Sequence, residues 1–130
     1  MRGRALLLAA ALATPLPAAA ALSDEREVTE RLLVIGVADQ LRKECGSVDA
    51  RMVRAYAYLR QAAQVALDLG YDRPTIEAYV EDREEKARLR AIAADRLAAR
   101  GARKGDEAAH CALAREEIAR GTAVGWLLKD

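Results

Sequence analysis

The chain has 130 residues, with 21 Lys and Arg against 20 Asp and Glu, a formal net charge of +1. So even a balance gives no long-range field, which excludes charge-driven binding of nucleic acid or an anionic lipid surface. There is no Phe, one Trp and four Tyr, so the core must lean on alanine and on close helix packing rather than on bulk.

The chain opens with the basic stretch Met1-Arg2-Gly3-Arg4. Residues 5–13 are all Ala or Leu, and Thr14-Pro15-Leu16-Pro17 and a run of alanines follow. A basic start, a short apolar run and small residues at a cleavage point are the parts of a secretory signal peptide. The apolar run falls well short of the ~20 residues a bilayer-spanning helix needs, and Pro15 and Pro17 would break such a helix. Residues 1–21 are therefore expected to be removed, with cleavage after Ala20 or Ala21, where Ala18-x-Ala20 and Ala19-x-Ala21 fit the small-x-small rule. No Cys stands nearby to take a lipid, so the mature chain should keep no stable membrane anchor and be periplasmic or secreted. Losing Arg2 and Arg4 takes the 21 basic residues to 19, against 20 acidic ones, and the mature chain is near neutral.

Residues 22–130 form one domain by size, and a chain of about 109 residues buries roughly two-thirds of its unfolded surface. The first helix is predicted over residues 23–44. Ser23 or Asp24 would cap it, Asp24, Glu25 and Glu27 would sit at its positive end, and Val34, Val37, Ala38, Leu41 and Cys45 form its stripe. Gly46 stands where a left-handed terminator belongs. Ser47 would cap a second helix with Asp49 in its first turn. Its face carries Met52, Tyr56, Leu59, Ala63, Ala66 and Leu67, and Gly70 ends it. Asp72 and Pro74 open a short third helix bearing Ile76, Tyr79 and Val80. Asp82-x-x-Glu85 reads as a capping box for a fourth helix with Leu89, Ile92, Ala93 and Leu97 inward. Gly101 and Gly105 bound a basic linker holding Arg103 and Lys104. Asp106 caps the last helix, with Cys111, Ala114 and Ile118 on its stripe. Gly121 and Gly125 should end that helix or admit a close backbone approach, and Trp126 and Leu127 should dock on the core. No run reads as a strand. The fold class is all-α: a small bundle of four to five helices closed by one disulfide.

Two cysteines in an oxidising compartment read as a Cys45–Cys111 disulfide. It closes a loop of about 67 residues, for which chain entropy gives about 4 kcal/mol. Two free buried thiols, or a metal site with His110, are the alternatives.

The residues that carry chemistry do not assemble in the sequence. The mature chain has one His, His110, which on a helix points about 100° from Cys111 and reads as an exposed side chain. Ser23 and Ser47 read as caps. Metal sites of the C-x-x-C, H-x-x-x-H and EF-hand kinds are missing. Glu81, Asp82, Glu84 and Glu85, and also Glu116 and Glu117, read as solvated helix surface rather than acid–base pairs. Arg100, Arg103 and Lys104 make a small basic patch without the G-K-[ST] ending of a phosphate loop. No catalytic residue, metal ligand or cofactor-binding residue is assigned.

Several stretches resemble one family. They are Val34-Ile35-Gly36-Val37-Ala38, Cys45-Gly46-Ser47-Val48-Asp49-Ala50-Arg51-Met52, Gly70-Tyr71 with Ile76-Glu77-Ala78-Tyr79-Val80, Glu85-Lys86-Ala87-Arg88, and Ala114-Arg115-Glu116-Glu117-Ile118-Ala119-Arg120-Gly121. The family is one of small exported alphaproteobacterial proteins carried as a domain of unknown function (family number 5333). The resemblance spans essentially the whole mature chain and implies that both cysteines belong to the family pattern. It implies no activity, cofactor or catalytic residue. The leading expectation is a non-enzymatic helical interaction module with an envelope protein partner. A periplasmic stress-type chaperone, loosened by acid, and an enzyme built on the Glu81 to Glu85 cluster or on His110 are the alternatives.

Overall fold

The structure, a computed structural model, describes residues 10–14 and 18–130. The basic start of the expected leader, its first apolar residues, Pro15 and Pro17 lie outside the described residues. A short helix α1 (Ala18–Ser23) runs through both expected cleavage positions, and Leu22 on it is fully buried. It leads into the central helix α2 (Arg26–Glu44). Then come β1 (Asp49–Ala50), α3 (Met52–Asp68), α4 (Arg73–Glu81), α5 (Arg83–Ala99), α6 (Glu107–Arg120), α7 (Ala123–Trp126) and β2 (Leu128–Lys129). Among the described residues the fold is all-α apart from this two-strand ladder.

Helix α2 buries Val28, Leu33, Val37, Ala38 and Leu41, which point to more than one side. A helix apolar on several faces belongs in the middle of a bundle, and α2 packs on α3, α5, α6 and α7. One core cluster surrounds its C-terminal half, with Leu41, Cys45, Leu97, Ala114 and Leu127. A second lies at its start, with Leu22, Val28, Ala66, Ile76 and Tyr79.

Three caps fall where the sequence puts them. Asp72 accepts from the Thr75 amide at 2.9 Å, Asp82 from the Glu85 amide at 2.9 Å, and Asp106 from the Ala109 amide at 3.0 Å. Asp82 makes only half of the expected box, because the Glu85 carboxylate turns to Arg88 instead. The glycine stops hold at Gly70 and Gly121, both at positive φ, and at Gly121 the conformation closes α6 by the left-handed route.

Other expectations are corrected. Neither Ser23 nor Asp24 caps α2, whose N-cap is Glu25 with no side-chain bond. Ser23 ends α1, and its carbonyl accepts from the Thr29 hydroxyl. Gly46 is not at positive φ, since α2 stops through an extended Cys45 whose amide bonds the Leu41 carbonyl. Helix α3 begins at Met52, so Ser47 and Asp49 are not in it. Asp49 instead pairs with Lys129, and Ala50 with Leu128. No local pattern announces that ladder, because its partner strand arrives from the C-terminal tail. The tail docks through Leu127 and Leu128, while Trp126 stays 40% exposed beneath the Arg54 guanidinium at 5.0 Å. Gly125 gives the close approach: a Cβ there would lie 2.0 Å from the Glu117 carbonyl oxygen.

Candidate functional site

The Cys45 and Cys111 sulfurs are 1.99 Å apart, at disulfide distance, and they join the end of α2 to α6. The cap position of Cys45 and the inward stripe of α6 turn both side chains to the same interior. Ser47 lies over the bridge, 3.4 Å from the Cys45 sulfur, and accepts from Arg115 at 2.9 Å. The bridge is therefore a structural staple, and Ser47 is engaged beside it.

His110 is not exposed as expected but fully buried. Its Nδ1 lies 2.7 Å from the Asp106 carbonyl, which can only accept, so Nδ1 carries the proton. Its Nε2, 3.1 Å from the Gln40 amide nitrogen, is then the acceptor. Both ring nitrogens are thus engaged: one bond stays within the first turn of α6, and the other ties α6 to Gln40 on α2. Arg100, expected in a basic patch, reaches Glu117 at 2.7 Å and Glu116 at 3.6 Å. Burial pushes the Glu117 carboxyl up, but hydrogen bonds from Thr122 and Arg100, with the Arg100 charge, outweigh it and hold the group below the ordinary carboxylate range. Among the described residues no group of His, Cys, Asp and Glu is arranged to hold a metal ion. His110, Ser47, Arg100, Glu116 and Glu117 are thus dispersed into structural contacts rather than gathered into one site.

What the fold does gather is a cleft. Helices α3 and α5 both pack on α2 but barely on each other, and a hollow of about 320 Å³ opens between them. Its floor is α2, with Leu32, Ile35 and Gly36. One wall is α3, with Met52, Ala55 and Leu59, and the other is Tyr79, Val80 and Leu89 from α4 and α5. A second apolar hollow of about 270 Å³ adjoins it and shares Leu32, Leu59, Tyr79 and Val80. The α3 face expected to be core is therefore only partly used: Ala66 is buried and Leu59, Ala63 and Leu67 half-buried, while Met52 is 55% and Tyr56 62% exposed. Apolar periodicity identifies that face but cannot say whether a neighbour covers it.

Tyr79 stands between the two hollows. It is 2% exposed, and its hydroxyl makes no hydrogen bond among the described residues. Burial pushes the phenol above its ordinary range; Glu85 and Arg88 act on it electrostatically without meeting hydrogen-bond geometry. A third hollow, beside Leu33, Val37 and Leu97, holds two arginines, but Arg96 is clamped by Glu30 at 2.8 Å and Arg100 by Glu117. Its charges are already satisfied.

The sequence pattern of a family of unknown function, DUF5333, matches residues 20–129. The chain belongs to this family. DUF5333 thus covers helices α2 to α7, both cysteines and every wall of the cleft. No curated protein and no solved structure matches the chain.

Proposed function

We propose that this DUF5333 protein is exported to the periplasm or beyond and acts there as a non-enzymatic helical binding module, with the cleft between α2, α3 and α5 as its recognition surface. The observation that carries the reading is the apolar trough, where a helix face built for burial is left without a neighbour among the described residues. Export is supported by the cysteine pair at disulfide distance, which suits an oxidising compartment. The family match beginning at residue 20, where the leader is expected to end, supports it as well. A binding rather than catalytic role is supported by the engagement of His110, Ser47, Glu85 and Glu117 in contacts that hold the fold.

Two measurements test this. Intact mass of the protein recovered from the envelope should show the first 20 or 21 residues gone, and both cysteines alkylated only after reduction. An uncleaved chain whose thiols react at once refutes export. An environment-sensitive apolar dye should bind the folded protein, and Met52→Asp, at an exposed position on the cleft wall, should abolish binding. Leu69→Asp, at an exposed position outside the three hollows, should not. Equal effects of the two substitutions refute the cleft as the surface.

A further inference from the structure

The charges at the cleft are not evenly satisfied. Five charged side chains line it: Asp39, Arg42, Glu85, Lys86 and Arg90. Asp39 is held by Arg42 and Lys43, each at 2.7 Å, and Glu85 by Arg88 at 2.9 Å. Lys86 and Arg90 form no ion pair among the described residues. They stand one turn apart on the same side of α5, an arrangement of like charges that repels itself. The lip of the trough therefore carries two uncompensated cations.

The second observation is the Tyr79 hydroxyl, buried between the two hollows without a hydrogen bond among the described residues. A buried donor left without a partner is costly. The third is shape. The two hollows meet along Leu32, Leu59, Tyr79 and Val80, so the apolar path is longer than either alone. Hollows of about 320 and 270 Å³ suit a small molecule.

We propose that the cleft binds a single-chain anionic amphiphile of the fatty-acid class, with its carboxylate at Lys86 and Arg90 and its acyl chain along Leu32, Leu59 and Val80 toward the second hollow. This rests on the reading of the cleft as the recognition surface and names the chemistry it recognises. A charge-assisted contact at one end and apolar burial along the rest is how a site selects an amphiphile over a plain hydrocarbon. The Tyr79 hydroxyl supplies a further donor on the wall.

The test is calorimetric titration of the full exported chain, disulfide intact, with laurate, decanoate, decanol and decyltrimethylammonium, each below its aggregation limit. Each added methylene should tighten binding about fourfold, so laurate, two methylenes longer, should exceed decanoate by roughly fifteenfold. Decanoate should exceed decanol severalfold, and the cationic probe should be weakest. The double variant Lys86→Gln with Arg90→Gln should bring decanoate down to the level of decanol and leave decanol unchanged. Tyr79→Phe should weaken laurate without lowering the melting temperature, since it removes an unmade hydrogen bond. A lowered melting temperature with laurate binding intact would assign the hydroxyl to the fold and overturn the proposal. If decanoate and decanol bind equally, or the cationic probe binds best, the anion reading falls while the cleft stands. If no probe binds and the dye also fails, both readings fall.

Discussion

Replacing Gly125 with Ala should cost about 3 kcal/mol, because the new methyl group meets backbone rather than a movable side chain. A Cβ at this position would lie 2.0 Å from the Glu117 carbonyl oxygen, 2.3 Å from its carbon and 2.7 Å from the Ile118 nitrogen. Ordinary contact begins near 3.4 Å, so α7 must move by about 1.4 Å, the difference of the two oxygen distances. Overpacking of this kind costs roughly 1–3 kcal/mol when the structure absorbs it. If α7 lifts instead, Leu127 and Leu128, now 2% and 1% exposed, begin to leave the core, each worth roughly 1.5–3 kcal/mol when fully buried. Against a total of about 5–15 kcal/mol for a domain this is a large loss. The assay is urea unfolding followed by circular dichroism, with Gly121→Ala as the comparison. Gly121 has φ +63 and nothing near its Cβ position, so that variant should lose only about 1–2 kcal/mol from left-handed strain. A Gly125→Ala loss below about 1 kcal/mol, or no larger than that of Gly121→Ala, would refute the close-approach argument.

Three further outcomes are expected. Reducing the Cys45–Cys111 bridge, which spans a separation of 66 residues, should destabilise the domain by up to about 4 kcal/mol in matched urea titrations; no change would show that the loop entropy is not limiting. Asp82→Ala should cost about 1 kcal/mol by removing the cap on the Glu85 amide, with a loss of helical ellipticity that Asp82→Asn largely restores. Glu117 has a depressed folded-state pKa, so its contribution is present above the ordinary value of 4.5 and is lost as pH falls through the folded one. Glu117→Gln should therefore be less stable than wild type at pH 7 and show a shallower acid decline below pH 4.5. Parallel curves in thermal melts across that range would contradict it.

The cleft has a simple packing origin. Helix α2 is apolar enough to take neighbours on all sides, but β1 and the turn through Ser47 place α3 against α2 without bringing it to α5. The same geometry leaves Lys86 and Arg90 beside an apolar wall rather than beside acids. Neither feature follows from the periodicity of α3 or α5 taken singly.

Local sequence determined a good deal of this protein. Asp72, Asp82 and Asp106 fix helix starts because a short carboxylate reaches the amide three residues on. Gly70 and Gly121 fix helix ends because only glycine takes positive φ without strain. The all-α class and the pairing of Cys45 with Cys111 were legible in composition, period and cysteine count. Tertiary structure alone decided the rest. It buried His110 between Asp106 and Gln40, drew Ser47 off a helix start to the disulfide, and paired Asp49 with Lys129. It also left Met52 and Tyr56 uncovered on a face that reads as core. Caps and stops act over three or four residues along the chain, so the sequence displays them. Whether an apolar face is covered depends on which helix arrives from many residues away, and only the packed chain settles that.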